Sequence, residues 1–147
     1  PKYYFDISQY KNYFEKNQPP FTPAIGVMYS LDKALNLLIE ETMPKVYERH
    51  KKVANKIRTK LIEIGFELFP DDENHASDTL TSVKIPKGTS TKQIIEKLEN
   101  RHNVIISAGQ GNLSDKILRI GHLGLVSDAE IDWLIESLIK SMEKENE

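Results

Sequence analysis

The sequence contains no cysteine. Disulfides, thiolate metal sites and cysteine nucleophiles are thereby excluded, and a reducing cytoplasm is the simplest setting. A charge excess is missing too: 20 basic and 22 acidic residues leave a formal charge of −2. That balance offers no electrostatic reason to expect nucleic acid or an anionic membrane as a partner. No apolar run approaches the ~20 residues of a membrane span, and no signal peptide is visible. The four histidines, His50, His75, His102 and His122, match no zinc spacing and read as structural or surface residues, so no metal is expected. A nucleophile elbow, a phosphate loop, a paired-carboxylate signature, internal repeats and low-complexity segments are absent as well.

What is present fits one ordinary domain: 147 residues, 39% hydrophobic and 29% charged. The chain opens on Pro1 and runs at once into "KYYFDI", an apolar start that reads as the continuation of a preceding segment. "YYFD" (3–6) predicts a short strand and "ISQYKNYFEK" (7–16) a short helix. "NQPPFTP" (17–23) carries three prolines and breaks helix and ladder alike. A long helix follows, with Thr22 as expected N-cap and Pro23 in the first helical position. Its apolar residues, Ile25, Met28, Leu31, Leu35 and Leu38, recur at helical spacing. Pro44 divides it from a second helix with the stripe Val46, Val53, Ile57, Leu61 and Ile64, ended by Gly65.

The second half changes period. "FELF" (66–69) predicts a strand. "TLTSVKI" (79–85) alternates, with Leu80, Ser82 and Lys84 on one face and Thr81, Val83 and Ile85 on the other. Ser90 with Gln93, and Ser127 with Glu130, predict capping boxes for two more helices. "NVIIS" (103–107) and "KILRIG" (116–121) predict strands, and the tail "EKENE" is expected to fray. The order is two long helices and then β-β-α-β-β-α. It predicts an α+β (α/β) fold, with a small, mostly antiparallel sheet and helices on one face.

Three positions carry candidate chemistry. Arg119 stands in the strand "ILRIG", on one face with Ile117 and Gly121. Its guanidinium stays charged and needs an anion. That anion is either an Asp or Glu of a solvated sheet face, or a visiting carboxylate gripped by two parallel hydrogen bonds. Gly121 and Gly124 clear space for the second case. Thr22 is either a simple N-cap or, with the free N–H groups of a helix start, part of a phosphate site. The "GQG" loop (109–111) is either a tight turn or backbone that lets a ligand approach.

Together, "TPAIGVMYSLDKALNLLIEE", "RH" (49–50), "GFELF", "TLTSVKIPKG", "GQG" and "LRIGHLG" resemble the C-terminal half of a class V, fold-type I aminotransferase of the alanine–glyoxylate / serine–pyruvate group. The resemblance runs in order over essentially the whole chain. It implies the C-terminal domain of fold-type I enzymes, with residues 1–22 as the end of the large domain and linker and 23–147 as the small domain. It implies pyridoxal 5'-phosphate (PLP) as cofactor, a homodimer, and transfer of an amino group from a small amino acid to a 2-oxo acid. Arg119 would inherit the role of holding the substrate carboxylate. Thr22 would inherit a contact to the cofactor phosphate in the neighbouring subunit's site. The tyrosine that many relatives place three residues before that threonine is Pro19 here. The Schiff-base lysine belongs to the large domain in such enzymes, and no "S-x-K-G" stretch occurs here, so this segment alone is expected to be inactive. Cysteine desulfurases use a cysteine in this half, which this chain lacks. Two other readings stay open: a non-catalytic amino-acid-binding regulatory domain, and a dimerisation module built on helices 23–64.

Overall fold

The computed structural model describes residues 3–143. It divides into two compact units, Pro1–Met43 and Pro44–Glu147.

In the first unit, Tyr3–Phe5 forms a single 3-10 turn rather than the expected strand. No ladder partner reaches it among the described residues. Instead Tyr3 and Tyr4 pack on Phe21, each with ring centroids 4.7 Å away, and Tyr10 joins at 6.1 Å. Helix α1 (Ile7–Phe14) is capped by Asp6, whose carboxylate accepts the Ser8 N–H at 3.0 Å. Helix α2 (Ile25–Glu41) corrects the expected cap. It starts at Ile25 with Ala24 in the cap position and no side-chain cap, because the Ile25 N–H already turns back to the Pro23 carbonyl at 2.9 Å. Thr22 therefore lies outside the helix. No residue of α2 is buried, and Leu31 and Leu35 remain about half exposed.

Thr42, at φ 72°, ends α2, and α3 (Met43–Glu63) begins one residue later, so the break expected at Pro44 falls at Thr42 and Pro44 sits in the first turn of α3, where its missing N–H costs no helical bond. In the second unit α3 buries Val46, Ala54, Ile57, Arg58 and Leu61. Gly65, at φ 94°, lets the Phe66 N–H reach the Leu61 carbonyl at 2.9 Å, which closes the helix end and turns Phe66 into the core.

The remaining elements are β1 (Glu67–Leu68), β2 (Leu80–Lys84), α4 (Thr91–His102), β3 (Ser107–Ala108), β4 (Ile117–Gly121) and α5 (Asp128–Met142). The strands form one sheet in the order β1-β2-β4-β3, with every pair antiparallel. The predicted α+β order is thus the observed one. Strand 103–107 is corrected: Asn103, at φ 53°, caps α4, the chain then crosses to the sheet, and pairing is confined to Ser107–Ala108. The box at Ser127 has both halves. At Ser90 only the hydroxyl accepts from Gln93 N–H, at 3.5 Å, because the Gln93 side chain does not return the bond. The tail expected to fray lies outside the described residues except for Glu143.

One face of the sheet carries Thr81, Val83, Leu118 and Ile120, all buried. Ile57 and Leu61 of α3, Ile94 and Leu98 of α4, and Ile131, Ile135 and Leu138 of α5 complete the core there. Burying such side chains contributes about 1.5–3 kcal/mol each. The opposite face carries Ser82, Ile117, Arg119 and Gly121, away from the core cluster that the helices form.

Candidate functional site

Arg119 sits in the middle of β4, a central strand. Its register partners are Ser82 on β2 and Ser107 on β3. Directly opposed residues share a face, so the guanidinium is flanked by a serine on each side. Arg119 is half-buried, and its Nε donates to the Ala108 carbonyl at 2.8 Å. Among the described residues no carboxylate pairs with it, and its two terminal nitrogens have no hydrogen-bond acceptor. A guanidinium fixed through Nε presents its terminal N–H groups as a fork of the width a carboxylate fills.

The space around the fork is shaped by glycines. On one side Gly121 contributes no side chain, and the nearest atom to the position of its missing Cβ is Leu123 Cδ1 at 3.7 Å. On the other side Ile117 is buried beneath the 109–113 turn. There a Cβ on Gly109 would lie 2.2 Å from the Leu113 carbonyl oxygen and 2.8 Å from Ile117 Cγ1. Gly111, at φ 55°, opens a 3-10 turn over Gly111–Leu113. The "GQG" loop is thus a tight turn. It also holds in place the strand end whose carbonyl anchors Arg119.

Thr22 is exposed, and its hydroxyl has no hydrogen-bond partner among the described residues. The first turn of α2 has no side-chain cap, which leaves amide donors unsatisfied beside it. A phosphate fits this donor set: a hydroxyl and backbone N–H groups at the positive end of a helix. Pro19 has no N–H to add. Thr22 and Arg119 fall in different compact units.

His122 stands apart from the fork. It is buried just past the end of β4, on the core side with Thr81, with Nε2 2.9 Å from Thr81 Oγ1 and its backbone N–H donating to the Thr79 carbonyl at 2.9 Å. Burial, and after it the nearby Arg58 charge, push its pKa down, which favours the neutral ring. No cluster of three or more metal-ligating side chains occurs among the described residues, and no helix there is long and apolar enough to cross a membrane.

Sequence reading missed Ser82 and Ser107 as neighbours of the arginine. Strand alternation shows which residues share a face, but not which strands are adjacent or in what register. It also missed Arg58, buried on α3, where Nη2 donates to the Ser77 carbonyl at 2.6 Å and lies 3.8 Å from Asp78.

No family model matches the chain. An uncharacterized aminotransferase of Methanocaldococcus jannaschii is 38% identical over 88% of this chain and 34% of its own length. The 42 kDa subunit of a soluble hydrogenase of Anabaena cylindrica is 36% identical over 94% of this chain and 36% of its own. Among solved structures, the alanine–glyoxylate aminotransferase of a Nostoc species superposes with a TM-score of 0.86, at 28% identity, over 95% of this chain and 37% of its own. The chain spans about a third of the length of the relatives it matches.

Proposed function

We propose that this chain, which has the sequence and fold of the C-terminal region of a class V aminotransferase, supplies that region to a PLP-dependent enzyme that moves an amino group from a small amino acid, alanine or serine, to a 2-oxo acid such as glyoxylate or pyruvate. The observation that carries this reading is Arg119: anchored through Nε at 2.8 Å, with no acidic partner among the described residues, on the sheet face opposite the buried core. Amino acid and 2-oxo acid share one group, the α-carboxylate, so a single fork serves both halves of a transamination.

The division of labour follows from the residues. Pyridoxal phosphate, when bound, supplies the electron sink for chemistry at the α-carbon. Thr22 and the free amides at the start of α2 would hold its phosphate. Arg119 binds the substrate carboxylate and fixes the orientation of the α-carbon, and its bond to Ala108 means that part of its ordering precedes binding. On this reading residues 1–22 end the large domain and linker, residues 23–147 form the small domain with its connecting helix, and the Schiff-base lysine lies outside this chain. The exposed leucines of α2 support a homodimer, and the absence of cysteine supports a cytoplasmic setting.

The test is the visible absorption spectrum of the full-length protein before and after L-alanine or L-serine. A yellow protein whose band moves on addition is the expected result. A colourless protein that binds an amino acid reversibly would replace the enzyme with an amino-acid-binding regulatory domain.

A further inference from the structure

The loop 122–126 leaves β4 two residues after Arg119's neighbour Ile120 and leads into the cap of α5. Its middle residue has both backbone polar groups taken by consecutive side chains of α3. Arg49 Nη1 donates to the Gly124 carbonyl at 2.5 Å, and the Gly124 N–H donates to His50 Nε2 at 3.3 Å. The other ring nitrogen, Nδ1, lies 2.8 Å from the Val46 carbonyl. A carbonyl only accepts, so Nδ1 carries the proton and Nε2 keeps the lone pair that receives Gly124. Gly124 adopts φ 79° with nothing within 4 Å of a Cβ position, so the backbone conformation, not close packing, calls for glycine.

Burial holds the two ends of this loop, His122 and Val126, but not its middle, where Leu123 is 69% and Leu125 79% exposed. The Arg49–His50 pair holds that middle. Its consequence lies on the arginine face, where Leu123 Cδ1 sits 3.7 Å from the missing Cβ of Gly121, two residues along the strand from Arg119. We propose that Arg49 and His50 are positioning residues that hold Leu123 beside Arg119 as an apolar flank, restricting the carboxylate substrate to a small side chain. This rests on the reading of Arg119 as the carboxylate fork and assigns its size selectivity.

The experiment uses the full-length protein and two unreactive carboxylates, propionate and hexanoate, as competitors of L-alanine, together with backbone hydrogen exchange of the 121–126 segment. The wild type is expected to bind propionate more tightly. Arg49→Met and His50→Leu should speed exchange and narrow that preference about tenfold, the low end of what one apolar contact discriminates. Arg49→Lys and His50→Gln, which keep a donor and an acceptor, should restore both readouts. Leu123→Ala, at an exposed position, should narrow the preference without a folding defect, so it decides the matter if a clamp variant fails to fold. Faster exchange with an unchanged preference, or an unchanged preference in Leu123→Ala, overturns the proposal and leaves Arg119 in place. Equal, negligible binding of propionate by wild type and Arg119→Ala overturns the fork reading itself, and the proposal with it.

Discussion

Replacing Gly109 with alanine tests whether the turn beneath Arg119 is built on a close approach. The added Cβ would stand 2.2 Å from the Leu113 carbonyl oxygen, 2.6 Å from the Leu113 carbonyl carbon and 2.8 Å from Ile117 Cγ1. Ordinary contact begins at 3.4 Å, so the nearest atom is 1.2 Å too close (3.4 less 2.2), and it is backbone, not a flexible side-chain tip. Overpacking a well-filled site costs about 1–3 kcal/mol, and a rigid neighbour puts this case at the upper end. Gly111 is the control. It has open space at its Cβ position but φ 55°, so Gly111→Ala meets only the left-handed penalty of about 1–2 kcal/mol. Urea unfolding followed by Trp133, the one tryptophan of the chain, reads both. With a slope of about 2 kcal/mol per molar, Gly109→Ala should lower the midpoint by roughly 1.5 M. Because the turn follows Ala108, whose carbonyl anchors Arg119 Nε, the same variant should also weaken carboxylate binding. A wild-type midpoint for Gly109→Ala, or a larger loss for Gly111→Ala, would refute the close-approach reasoning.

Arg119→Ala in the full-length protein should raise KM for carboxylate substrates and cost about 2–4 kcal/mol of transition-state binding, read as kcat/KM; an unchanged kcat/KM removes Arg119 from the site. Thr22→Ala should weaken retention of PLP in equilibrium dialysis with no loss of stability, since the hydroxyl caps nothing in α2. His122, whose pKa is lowered by burial and then by Arg58, contributes a stability that is complete above the ordinary value of 6.5 and is lost as the pH falls from there towards the folded-state pKa. The slope in that window is at most about 1.4 kcal/mol per pH unit, and denaturation of His122→Gln should show a flatter profile there. Ser127→Ala removes the hydroxyl that accepts the Glu130 N–H, leaves the backbone half of the α5 capping box, and should lower stability by about 0.5–2 kcal/mol in the same unfolding assay.

The sequence by itself determined the elements whose causes are local. Apolar spacing placed α2 and α3, Gly65 and Pro44 placed their limits, the Ser127–Glu130 pair placed the start of α5, and alternation sorted Thr81 and Val83 from Leu80 and Ser82. It also singled out Arg119, because a permanently charged fork among apolar strand residues stands out in any register. Tertiary structure decided what depends on partners distant in the chain. Tyr3–Phe5 forms a turn packed on Phe21, with no strand beside it among the described residues. Residues 103–107 yielded most of their expected strand because Asn103 had to cap α4 before the chain could reach the sheet. Which serines flank Arg119, and which carbonyl holds its Nε, follow from strand order and register, and hydrogen bonds between strands carry no mark in the spacing of either. The grip of Arg49 and His50 on Gly124 spans more than seventy residues of chain, and only the folded backbone brings those groups within bonding distance.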